Sequence, residues 1–152
     1  NLIQGLVSNF FAAYSLVHQT KCVDRPQQYG IVERKYRHLI EMSRSLGFQA
    51  SLPLHYWGYC VLVATHIING LPSSVLHNKT SFELLFHKAL TYAHLRVFGC
   101  LAFAPNPMRT THKFQPKGVP CLFLGYPHNQ KGYILMNLLT KHFFASRDVT
   151  FC

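Results

Sequence analysis

From about Arg96 onward the apolar residues of this chain change their period, and that change limits the possible fold more than any other feature. Before it, apolar residues recur at helical spacing. In residues 31–46, Val32, Tyr36, Leu39, Ser43 and Leu46 fall at steps of four, three, four and three, one buried stripe of a helix. Arg34, Lys35, Arg37, His38, Glu41 and Arg44 lie mostly off that stripe. After the change, apolar residues come in short runs at 97–103, 120–126, 133–137, 142–146 and 149–151, with a turn over 138–141 and Gly and Pro punctuating the gaps. Short strands at this spacing predict a small β-barrel. Helices followed by strands make an α+β chain, with a boundary near His94 that divides it into 1–93 and 94–152.

The rest of the helical part reads as follows. Residues 2–14 are a helix candidate, 15–20 a short strand, and 21–30, with Pro26 and Gly30, a loop. Gly47 is a plausible stop for the 31–46 helix. Ser51 is placed to cap the next helix, with Pro53 in its first turn, where a missing N–H costs nothing. That helix runs to about Asn69 and is apolar nearly all the way round, which predicts a central place in the core. The apolar stretch 52–71 contains His55, Gly58, His66 and Asn69, so a buried helix fits it better than a membrane span. Thr80-Ser81-Phe82-Glu83 matches a capping box and opens a short helix to about Phe86.

Fifteen Lys and Arg against five Asp and Glu give a net charge of +10. Such an excess favours a polyanion such as DNA, RNA or an anionic membrane surface, with a merely solvated basic surface as the alternative. Hydrophobic residues make up 49% and aromatic residues 14%, which excludes a disordered composition. The five cysteines include no C-x-x-C pair, which argues against both a disulfide framework and a zinc site and for reduced thiols in an intracellular protein. The histidines read as surface or core groups. The first residue is not Met, and the expectation is a fragment or processed piece. No phosphate-binding Gly-rich loop and no G-x-S-x-G elbow occurs. Aromatic residues in 94–152 read as core, with base stacking as the alternative.

The stretch "QQYGIVERKYRHLIE" holds two of the five carboxylates, Glu33 and Glu41. At the head of a helix, Glu33 suits the positive end of the dipole and is spaced to pair with Arg37. Alternatively it is one ligand of a metal site acting on phosphate, with Arg34, Lys35, Arg37 and His38 on the DNA backbone. Two-metal phosphoryl transfer needs several carboxylates. Asp24 lies in the preceding loop, Glu41 is too far along the helix, Glu83 has its capping role and Asp148 belongs to the other part. The carboxylate count therefore argues against independent catalysis.

Six collinear runs resemble the integrase region of copia-type LTR-retrotransposon polyproteins. They are "HQTKCVDRPQQYGIVERKYRHLIEMSRSL", "LPLHYWGYCVLVATHIINGLPSSVL", "KTSFELLF", "HLRVFGCLAFA", "KFQPKGVPCLFLGYP" and "KGYILMNLLTKHFFASRDVTF". The resemblance implies the C-terminal part of a ribonuclease H-like integrase core, mainly its helices, in 1–93. It implies a small Src-homology-3-like β-barrel in 94–152. Glu33 matches the Glu of the family's Q-Q-N-G-x-x-E-R-K motif, the last member of an Asp, Asp, Glu triad that binds Mg²⁺, and both aspartates would fall upstream of Asn1. Tyr29 stands where the motif has Asn, and Asn137 and Leu139 stand where the last hairpin is often acidic. The expectation is a piece of a retrotransposon integrase, inactive alone because its triad is incomplete. Its Mg²⁺ belongs to the intact parent, its partner is DNA rather than a membrane, and its place, if functional, is the nucleus. The parent is expected to be oligomeric. The alternatives are a non-catalytic basic DNA-binding module and an unexpressed transposon relic. Helices without the sheet they normally cover would leave apolar patches exposed.

Overall fold

The computed structural model describes residues 11, 13, 27–106 and 116–152. The helix expected over 2–14 (save residues 11 and 13), the strand over 15–20 and most of the loop over 21–30 lie outside the described residues. The chain divides into two compact units, Asn1–Tyr36 and Arg37–Cys152. Residues 37–93 are thus grouped with the strands that follow them.

Helix α1 spans Gln27–Gln49 and crosses that division. It begins four residues before the expected start. Gln27 and Gln28 are good helix formers, and Gly30 costs only about 1 kcal/mol against Ala. In the first unit, Val32 and Tyr36 are exposed, at 67% and 66%. The stripe expected to bury is therefore covered only further along, at Leu39, Ser43 and Leu46. Helical periodicity marks a face suited to burial; it does not supply the surface that buries it.

The second unit starts with the remainder of α1, which passes Gly47 and ends at a Schellman turn. Ser51 is left-handed, with φ 50°. Its N–H donates to the Phe48 carbonyl, and the Leu52 N–H donates to that of Gly47. Ser51 therefore closes α1 instead of capping the next helix. Packing does not demand glycine at position 47, where a Cβ would make an ordinary contact 3.5 Å from the Cys60 sulfur. A 3₁₀ turn at Leu54–Tyr56 leads into α2, Trp57–Gly70. Leu71 is the extended residue that stops it. A second 3₁₀ turn, Ser74–Leu76, precedes α3, Ser81–Phe86. The capping box opens α3 as expected: the Glu83 N–H donates to the Thr80 hydroxyl at 3.0 Å, and the Thr80 N–H donates to the Glu83 carboxylate at 2.8 Å.

Five strands follow: β1 Leu101–Pro105, β2 Gly118–Gly125, β3 Tyr133–Asn137, β4 Phe143–Ser146 and β5 Thr150–Phe151. All pairings are antiparallel, in the order β4-β3-β2-β1-β5. A bulge displaces the β2–β3 register between Phe123 and Gly125, and the alternation of successive side chains lets β2 feed two cores. Phe123 packs with Ala102, Ala104, Cys121 and Leu135. Leu124, its neighbour, packs with Cys60, Val63, Phe98 and Met136. The sheet thus buries both faces, one within its own curl and one under α2.

The curl follows from ring distances. β3 and β5 stand three places apart in the sheet, about 14 Å if it were flat. Yet Tyr133 and Phe151 have centroids 4.8 Å apart, and both contact Phe123 edge-on. On the other face, Tyr59 of α2 stacks on Phe143 of β4 at 5.7 Å, and the Tyr56 hydroxyl donates to the Met136 sulfur at 3.1 Å. α2 is covered on this side only. Cys60, Val63 and Ala64 are buried, whereas Trp57 and Leu62 are exposed, so the fully surrounded central helix expected from its composition is not what forms. Among the described residues, no helix is long and apolar enough to cross a membrane.

Candidate nucleic-acid interface

α1 carries all five residues singled out by sequence. Glu33, Arg34 and Lys35 are described with the first unit, Arg37 and His38 with the second, and all five are exposed. Exposure on a helix is what backbone-phosphate contact requires, because a long cationic side chain must reach outward without first being desolvated. Glu33 is not in the first turn of α1, which contains no acid. The helix-start account of this residue therefore fails, since dipole stabilisation fades beyond the first turn.

The other described carboxylates have places of their own. Glu41 is exposed. Glu83 is engaged by its cap, and the Thr80 N–H, helped by the Thr80 hydroxyl, holds its carboxyl below the usual range. Asp148 lies in the turn before β5. Among the described residues, no three His, Cys, Asp or Glu side chains could hold one metal ion. The donor set of the described residues does not fit a Mg²⁺ pair.

In the segments that flank the strands, Lys117, Lys131, Lys141 and Arg147 are exposed. Arg96 is different. Its guanidinium donates to the carbonyls of Ala93 and Leu95 at 2.8 Å each and sits 5.2 Å over the Phe151 ring, so it fastens the strand segment. Asn137 also has a structural task. Its side-chain oxygen accepts from the N–H groups of Leu139 and Thr140 at 2.8 and 3.2 Å. A carboxylate would accept the same bonds, so Asn at this position leaves the turn intact.

Burial pushes the thiols of Cys60, Cys100 and Cys121 up, which makes them poor nucleophiles at neutral pH. One constellation escaped the sequence reading. His66 and His94, separated by 28 positions, meet in space, and no local spacing announces the pair.

Residues 100–152 match the family described as retroviral polymerase SH3-like domain. The Pol polyprotein of transposon RE1 from Arabidopsis thaliana is 36% identical over 142 residues, 93% of this chain and 10% of that protein. That of transposon RE2, from the same plant, is 33% identical over 96% of this chain and 10% of its own length. That of transposon TNT 1-94 from Nicotiana tabacum is 35% identical over 93% of this chain and 11% of its own length. The chain therefore spans about a tenth of these relatives. No solved structure matches it.

Proposed function

We propose that the chain, which is similar along most of its length to the Pol polyproteins of copia-type transposons and over residues 100–152 to the retroviral polymerase SH3-like domain, is a segment of the integrase region whose own activity is to hold DNA without reading its sequence. In this reading, 1–93 is the end of a ribonuclease H-like catalytic core and 94–152 is the small barrel. The observation that carries it is the similarity along nearly the whole chain, which includes the E-R-K run of α1. The exposure of Arg34, Lys35, Arg37 and His38 supports their role as phosphate contacts. Glu33 would be one metal ligand in the intact parent, where the reaction is Mg²⁺-dependent attack of a DNA end on a phosphodiester. The parent acts in the nucleus as an oligomer. In this reading the chain alone transfers no strand, since two-metal phosphoryl transfer needs several carboxylates together.

The test is fluorescence anisotropy with a labelled duplex across a salt series. Affinity should fall steeply with salt and depend little on sequence. Replacing Arg34, Lys35 and Arg37 together by Ala should flatten the log–log salt slope by about 2 to 3. Glu33→Gln should leave binding unchanged. Binding that ignores salt, or strand transfer that Glu33→Gln abolishes, would overturn the assignment.

A further inference from the structure

His66 of α2 and His94 of the segment before β1 meet head-on, Nε2 to Nε2 at 3.4 Å, with ring centroids 5.7 Å apart. This is a hydrogen bond between two imidazoles, and its chemistry limits the protons the pair can hold. A neutral imidazole has one N–H and one lone pair on its two nitrogens. In the neutral pair one Nε2 donates and the other accepts. A first added proton takes the Nδ1 lone pair of the donor ring, and the bond becomes charge-assisted. A second must take the lone pair that accepts the bond. Two N–H groups and two positive charges then face each other, and the bond is lost.

The surroundings hold both rings at this contact and do nothing to offset a second charge. His66 stacks on Tyr126 at 4.4 Å, and His94 meets the same ring edge-on at 5.8 Å. The Tyr126 hydroxyl accepts from the Arg96 N–H at 2.9 Å, and the Tyr133 ring lies 6.0 Å from that of Tyr126. The charges that act on His66 are those of His94 and His128, both positive when protonated. The Arg96 guanidinium is turned to the carbonyls of Ala93 and Leu95, and α2 contains no Asp, Glu, Lys or Arg. Water reaches the pair, since His66 is exposed. A second tie joins the same two parts: the Tyr92 hydroxyl donates to the Gly70 carbonyl at 2.8 Å, a bond that acid leaves alone.

We propose that the His66–His94 bond is a proton-operated clasp between α2 and the segment leading into β1, closed while the pair holds at most one added proton and opened by the second. Opening takes up one proton, so the open population rises by up to about tenfold for each pH unit of acidification. The Tyr92 tie keeps the segment attached, so the clasp opens locally while the sheet stays folded. The inference rests on the imidazole contact and does not depend on the DNA-binding reading.

The test is amide hydrogen exchange of the 152-residue chain, corrected for the intrinsic pH dependence of exchange, from about pH 7.5 to about 5, across the ordinary histidine range. The Leu95 N–H is bonded to the Tyr92 carbonyl and the Arg96 N–H to Tyr126. Exchange at both should rise by up to about tenfold per pH unit, while the amides of β3 stay protected. His94→Gln keeps a side chain that can bond His66 but cannot take the second charge. It should make exchange at Leu95 and Arg96 independent of pH, and it should move the His66 imidazole titration, followed by NMR, to higher pH. His128→Gln should move that titration the same way and still leave a clasp that acid opens. Far-UV circular dichroism reports whether each variant folds, and His66→Gln repeats the comparison from the other side of the contact. Exchange that ignores pH in the parent chain, acid opening that His94→Gln and His66→Gln both retain, or β3 amides that open together with Leu95 would overturn the proposal.

Discussion

His66 shows how one side chain can add to acid sensitivity. The residue is exposed, but partial desolvation of its ring, followed by the positive charges of His94 and His128, pushes its pKa below the ordinary histidine value. The folded chain therefore binds this proton less readily than the unfolded chain does. Its contribution to stability is complete above about pH 6.5 and drains away as the pH falls through the depressed folded value. Urea midpoints should hold steady from pH 8 to 7 and decline below 6.5, and His66→Gln should reduce that decline. None of this was legible in the sequence, because a histidine's shift depends on neighbours brought up by the fold. Thr80 is the opposite case. Its partner is three positions away, so the cap could be read directly from Thr80-Ser81-Phe82-Glu83.

At the scale of elements, the strands were legible to within a few residues, since period-two alternation and Gly or Pro bounds act locally. β3 fell on the expected residues, and the turn after it is the one expected. Helix ends were harder. Gly47 looked like a terminator but lies against the Cys60 sulfur, and Ser51 looked like a cap but closes the preceding helix. Helix α1 runs on past Gly47, and the local bonds of the Ser51 and Leu52 N–H groups decide where it ends. The left-handed Ser51 yields a direct expectation. Ser51→Gly removes the Cβ strain of that backbone region and should stabilise the chain by about 0.5–1 kcal/mol, seen as a higher urea midpoint with unchanged slope. A lower midpoint would show that Ser51 contributes more than its conformation.

For the molecule as a whole, the sequence pointed to helices and sheet as separate parts, while the second unit packs α2 and the sheet around Leu124. Leu124→Ala should cost about 2–5 kcal/mol, and helical and aromatic circular-dichroism signals should melt together. Separate transitions would instead favour two independent folds. The expected exposure of apolar surface is present. Phe48, Leu54 and Trp57 are 75%, 85% and 63% exposed and border an apolar groove of about 470 Å³ between α1 and α2. Such a patch favours self-association. The weight-average molar mass from light scattering should rise with concentration, and Phe48→Glu with Leu54→Glu should suppress that rise; a rise that the variants leave unchanged would place the sticky surface elsewhere. Which face lacked cover was not legible, since periodicity marks apolar faces without saying what lies over them.

Gly99 has the narrowest tolerance near this seam. Its φ is +77°, and a Cβ there would stand 2.5 Å from that of Ala50. A related chain that has replaced this glycine has lost the close approach to the end of α1. The codon at position 99 is therefore a sensitive gauge of selection. Where it stays glycine while neighbouring silent sites diverge, the folded product, and not merely the DNA, has been kept.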